Sequence, residues 1–208
     1  MNKVRRSLLN IFLGTVTCLL LIGSANVPLM HHAVARVDPT PAAQGLSSAA
    51  LVANLNKAES TLMAQGTARP GLTRYVAVLT RSQVVPTMPS TSAFGAAGAA
   101  LVGNRLVVRG DFSNLAGALR DYATDPLDPP NPNITSAVHI HQGAPDVNGP
   151  FKYALTVTPD STERAGRFSG EYNLTPEQLQ ALSNGELYVD IHTTRNRGGE
   201  LRGIFRPY

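Results

Sequence analysis

The sequence predicts an all-β protein: an antiparallel β-sandwich or barrel-like domain, with one short helix between its late strands and a helical extension ahead of it. Three observations carry this expectation. The 208-residue chain has no Trp but 18 Gly and 15 Pro, a composition that favours short strands and frequent turns over long helices. From Tyr75 onward, β-branched and apolar residues come in short alternating runs. Turn-forming pairs, Gly103-Asn104 and Asn148-Gly149 among them, separate those runs.

The N-terminal segment determines what the mature chain contains. Lys3, Arg5 and Arg6 precede an apolar stretch from Leu8 to Ile22, and Ala33-Val34-Ala35 supplies a small-residue site. These are the three parts of a secretory signal, residues 1–35, with cleavage expected before Arg36. The apolar stretch is shorter than the ~20 residues a spanning helix needs, so no membrane span is expected after cleavage. Cys18 lies inside that stretch behind Thr15-Val16-Thr17, a poor lipid-attachment box, and is read as part of the leader. The expected location is exported: periplasmic, cell-surface or secreted.

Cleavage removes the only cysteine, both His31 and His32, and three of the 18 Lys and Arg, leaving 15 against 14 Asp and Glu. A net charge near +1 gives no electrostatic case for nucleic acid. Without cysteine the mature chain has no disulfides and must rely on a core or a metal.

Residues 36–72 read as a linker and helical extension, and 73–208 as the domain. The stretch 36–46 carries Pro39 and Pro41. Ser47 to Ala64 has helical spacing in Leu51, Leu55 and Leu62, with Ser47 or Ser48 as cap and Gly66 as stop. "YVAVLT" (75–80) is a strand. Pro86 and Pro89 belong to a loop or an edge. "RLVVRGDFSNL" faces Leu106, Val108 and Phe112 one way. The stretch 117–132 holds four prolines, as expected of a long loop or an insertion. "SAVHIHQ", "KYALTVT" (152–158) and "GRFSGEYNL" are the next strands. "TPEQLQALSNG" is a short helix in which Thr175 caps, Pro176 takes the first position, Gln178 completes a capping box and Gly185 ends it. "ELYVDIHTT" and "ELRGIF" close the chain.

Histidine is confined to three positions after cleavage: His139, His141 and His192. Side chains alternate across a strand, so Val138 and Ile140 face one way and Ala137, His139 and His141 the other. In the later strand Leu187, Val189 and Ile191 form the apolar face, opposite Tyr188, Asp190, His192 and Thr194. Should the two strands be neighbours, all three imidazoles meet on one patch. Three neutral imidazoles suit zinc or copper. Asp190, on the His192 face, and Glu200, at the start of the next strand, are candidates for a fourth ligand or for groups that orient an imidazole. An H-x-H strand is also met as two surface histidines with ordinary hydrogen bonds.

Other motifs are weaker. Gly198-Gly199-Glu200-Leu201-Arg202-Gly203 lacks the helix and the Lys-Ser/Thr of a phosphate cradle. Glu200 and Arg202 share a face and are expected to pair with each other or with Asp190. There is no nucleophile elbow.

Four landmarks from about Tyr75 to Phe205 resemble the CHRD domain, the repeat first described in chordin and found singly in exported bacterial proteins. "VLTRSQVVP" resembles the family's L-x-x-x-Q-x-V-P stretch, and "AVHIHQGAPDVNGPFKYAL" its H-I-H-x-G block, N-G-P turn and following strand. "LTPEQLQALSNGELYVDIHT" resembles its helix and Y-V-x-x-H-T, and "GGELRGIF" its closing G-E-I-R-G. The departures are the proline-rich stretch 117–132, placed where it can cover the histidines, and Asp190 where Asn is frequent. The resemblance implies an extracytoplasmic β-domain. In chordin such domains belong to an extracellular antagonist of growth factors, a role that a single exported copy need not share.

Two functions are carried forward. The first is a non-catalytic binding or structural module whose partner is an extracytoplasmic protein or ligand, with the histidine patch taking a divalent metal. The second is a redox metalloenzyme using copper or zinc on His139, His141 and His192. The sequence shows no general base or substrate pocket beside the histidines, which favours the first.

Overall fold

The structure is a computed structural model, and it describes residues 41–66 and 71–208. The expected signal segment, residues 1–35, and the first part of the expected linker, 36–40, lie outside the described residues.

Helix α1 (Pro41–Ala64) is followed by strands β1 (Thr73–Leu79), β2 (Phe94–Val102), β3 (Arg105–Ser113), β4 (Val138–Gln142), β5 (Phe151–Ala154), β6 (Thr156–Pro159) and β7 (Gly166–Asn173). Helix α2 (Pro176–Asn184) then leads into β8 (Leu187–Ile191), β9 (Leu201–Ile204) and the short β10 (Arg206–Pro207). All pairings are antiparallel, in a six-stranded sheet ordered β10-β1-β2-β3-β7-β6 and a four-stranded sheet ordered β5-β4-β8-β9. The all-β sandwich with one late helix and an N-terminal helix is as the sequence predicts.

The two sheets bury their apolar parity positions against each other. Leu106, Val108 and Phe112 of β3 meet Val138 and Ile140 of β4 and Leu187, Val189 and Ile191 of β8 in one core. Gly103, at φ +61°, makes the two-residue turn between β2 and β3, a backbone state that favours glycine. The second helix forms as its sequence dictates. Thr175 accepts from the Gln178 amide while the Gln178 side chain accepts from the Thr175 amide, Pro176 opens the helix, and Gly185 at φ +71° ends it. Its Ala181 and Leu182 enter the core, and Leu179 packs at the margin.

Three details differ from the sequence reading. The first helix begins at Pro41, so Ser47 and Ser48 lie within it and do not cap it. Pro41 suits a first helical turn, and the Ala-Ala-Gln that follows it consists of strong helix formers. The helix docks Leu55, Ala58 and Leu62 on the outer face of the large sheet, beside Ala100 and Val107. That approach needs Gly98, where a Cβ would fall 2.2 Å from the Leu55 amide nitrogen. Next, "KYALTVT" is two strands. Buried Leu155, whose amide donates to the Val138 carbonyl, marks the point where the chain leaves the small sheet for the large one. Val157, expected in the core, is therefore only half-buried at its edge. Finally, Glu200 and Arg202 do not pair. Arg202 lies 4.1 Å from the centroid of the Tyr188 ring, and Glu200 is occupied elsewhere, as described below.

Candidate metal centre

Strands β4 and β8 are hydrogen-bonded neighbours, with His139 opposite Asp190 and His141 opposite Tyr188. The ladder continues past β8, where the His192 amide donates to the Ala137 carbonyl. The register follows from the core, because Val138 and Ile140 must face inward with Ile191 and Val189. The opposite parity then brings His139, His141, Asp190 and His192 together on the outer face of the small sheet. One ligand atom from each lies within 4.8 Å of all the others.

This face is covered. His139 is 1 % exposed, Asp190 4 % and His192 9 %. The cover is the proline-rich loop, as its position in the sequence allowed. The Tyr122 ring centroid sits 5.4 Å from that of His139 and 6.4 Å from that of His192. Arg120 pins the loop: its amide donates to the His192 carbonyl, its guanidinium donates to the Asp125 and Pro126 carbonyls, and it pairs with the Asp125 carboxylate at 2.9 Å. A pocket of about 380 Å³ opens beside the cluster, lined by Tyr122, Leu127, Ile134 and the three imidazoles.

Backbone carbonyls set the tautomer of each ring. His139 Nε2 lies 2.6 Å from the Ser136 carbonyl, His141 Nδ1 2.9 Å from that of Gly149, and His192 Nδ1 2.9 Å from that of Arg197. A carbonyl only accepts, so each of these nitrogens carries a proton. In the neutral ring the other nitrogen then holds a lone pair, and in all three residues that nitrogen is the one facing the cluster. His141 Nε2 and His192 Nε2 stand 3.2 and 3.1 Å from Asp190 Oδ1, and His139 Nδ1 stands 3.9 Å away. His141 Nε2, His192 Nε2 and Asp190 Oδ1 are buried, yet none makes an aligned hydrogen bond. Buried polar atoms without a partner are rare and costly. Three of them aimed at one another, two nitrogen donors and a carboxylate oxygen, fit a divalent cation of the zinc or copper type.

The charges support that fit. Burial alone would raise the Asp190 carboxyl, but the His192 and His141 rings beside it hold it well below the usual carboxylate range. Burial works to lower His192, and the Asp190 carboxylate overcomes this and raises it. Burial, with the His192 charge adding to it, pushes His139 down to about 4, so this ring stays neutral. Burial pushes the Tyr122 phenol up to about 12, so it stays protonated.

Glu200 stands outside this cluster. It is fully buried, and its Oε1 accepts from Thr91 Oγ1 at 2.7 Å and the Ala116 amide at 2.6 Å. Its Oε2 accepts from Thr193 Oγ1 at 2.7 Å and Asn196 Nδ2 at 2.9 Å. Sequence reasoning did not single out Tyr122, Arg120 or the stack on His141. The Tyr188 ring lies parallel to that of His141 at 5.3 Å, and the Arg202 guanidinium covers its other side. Arg202 also donates to the Val147 carbonyl and the Asn148 side chain. It thereby holds the turn whose Gly149 carbonyl fixes His141. Its own Nε is buried without a partner.

An antiparallel sandwich with a buried three-histidine, one-aspartate cluster on the outer face of its smaller sheet defines an all-β module with a candidate metal centre. The chain belongs to the CHRD domain family, whose model matches residues 75–205, the span on which the four sequence landmarks lie. No curated protein and no solved structure matches the chain. No helix among the described residues is long and apolar enough to cross a membrane.

Proposed function

We propose that the chain is an exported CHRD-domain binding or structural module that holds one divalent metal ion, copper or zinc, on His139 Nδ1, His141 Nε2, His192 Nε2 and Asp190 Oδ1. The observation that carries this reading is the convergence of lone-pair nitrogens whose opposite nitrogens are each tied to a backbone carbonyl. That arrangement orients imidazoles for a metal. Four protein donors would leave no open position on a four-coordinate ion, the pattern of a structural site, which supports a module over a redox enzyme. The ion would link β4, β8 and the turn that follows β8. In the metal-free protein the Asp190 carboxylate favours the protonated His192 ring, so loading competes with that proton.

Export is supported by the basic start, the apolar stretch and Ala33-Val34-Ala35. N-terminal sequencing of protein recovered outside the cytoplasm is expected to begin at or near Arg36; an intact N-terminus in the soluble cytoplasm contradicts export. The metal reading is tested by elemental analysis of protein purified without a His-tag. About one equivalent of copper or zinc that EDTA removes and either salt restores is expected at a single tight site. Failure to retain or rebind either metal contradicts it.

A further inference from the structure

We infer that the module carries a second, separate ligand site: a cationic cleft that takes a tetrahedral oxyanion, a sulfate or phosphate ester group. The cleft lies between the segment after β1, the segment after β3, the turn between β6 and β7 and the turn after β8. Arg81, Arg164 and Arg195 line it together with Ser90, Thr91 and Ser92, and no carboxylate is on its walls. The ion pairs found among the described residues use other arginines.

Two of the three cations are held in place by only part of their donor set. Arg164 Nε donates to the Leu115 carbonyl at 2.5 Å, and the Arg164 carbonyl accepts from the Leu115 amide at 3.0 Å. Arg81 Nη1 donates to the Pro89 carbonyl at 3.4 Å. A guanidinium has five N–H donors, so most of them remain for a ligand.

Glu200 gives the cleft its frame. Its four hydrogen bonds join Thr91 on one wall, Ala116 on another, and Thr193 and Asn196 in the turn that carries Arg195. Both carboxylate oxygens are occupied from within. The sequence offered Glu200 as a fourth metal ligand or a group that orients an imidazole; its contacts fit the role of a frame for this second site. Three arginines from three separate chain segments line the one cleft. That suits a tetrahedral group better than a planar carboxylate, which one guanidinium matches with two parallel bonds. At about 420 Å³ the cleft also admits the moiety bearing the ester.

The test uses EDTA-treated protein, so that phosphate cannot report on the metal centre, and titrates it with inorganic phosphate and separately with inorganic sulfate. Backbone amide NMR is expected to show saturable shifts confined to residues 81–92, 114–116, 164 and 195, with chloride at equal ionic strength giving none. The tighter of the two anions identifies the ester class. The double variant R81Q/R195Q should weaken that binding about tenfold or more while keeping the wild-type unfolding midpoint and metal affinity. Anion shifts scattered over the surface, or unchanged in R81Q/R195Q, overturn the proposal. The metal reading can fail without affecting this result.

Discussion

Replacing Asp190 with Asn removes one negative charge from the cluster at constant shape. The consequence depends on whether His192 is protonated. Asp190 Oδ1 is 3.1 Å from His192 Nε2, and both residues are buried. At an effective dielectric of about 20, a unit charge pair at that separation is worth about 5 kcal/mol. The depressed carboxyl contributes stability above its unfolded value near 4, which is lost as pH falls. The raised imidazole contributes stability below its unfolded value near 6.5, which is lost as pH rises through its folded value. The pair therefore stabilises the metal-free fold mainly between about pH 4 and 6.5. In D190N the imidazole escapes part of the penalty by shedding its proton. The expected cost at about pH 5.5 is thus about 3 kcal/mol, the low end for a broken buried pair. At a pH above its raised folded value the wild-type ring is neutral, and an amide can donate to its lone pair. The expected cost there is below about 1 kcal/mol. Urea titrations of both proteins in EDTA at the two pH values measure the difference. An equal loss at both would refute the ion-pair account of the metal-free cluster.

Two further outcomes follow from the packing. Leu187→Ala, at a fully buried position on the core face of β8, should cost about 2–5 kcal/mol by denaturant titration; a change near zero would mean the strand faces are reversed. Arg202→Gln removes the cation that covers Tyr188 and holds the Val147-Asn148 turn. It should weaken metal binding by about 10–100-fold, as expected for a group that orients a ligand. Unchanged affinity in a calorimetric titration of folded R202Q would remove Arg202 from the support of His141.

Much of the fold could be read from the sequence because it rests on local rules. The capping box at Thr175 and the glycine stop at Gly185 are fixed by neighbours a few residues away. The period-2 patterns of β4 and β8 placed the histidines and Asp190 on the faces they occupy. The adjacency of β4 and β8 was an assumption in the sequence reading. It depends on pairing between segments far apart in the chain, which no local pattern encodes. The same limit hid the rest of the site. Tyr122 reaches His139 from a loop whose own residues specify little, and the carbonyls of Ser136, Gly149 and Arg197 are backbone groups without a sequence signature. Glu200, offered because it begins the strand after His192, stands outside the cluster. Four donors from three segments draw its carboxylate away from the imidazoles.

The central claim is that His139, His141, His192 and Asp190 form one metal centre, and calorimetric titration of the EDTA-treated protein with copper or zinc tests it most directly. Wild type is expected to bind one equivalent. Its affinity should fall as pH drops, because protons compete for the ring nitrogens, and the fall should begin above about 6.5, where the raised His192 ring takes up its proton. The single variants H139A, H141A and H192A should each keep part of the affinity, and the triple variant should lose it. Equal binding by wild type and triple variant would contradict the account and leave the three imidazoles as structural groups on the outer face of the sheet.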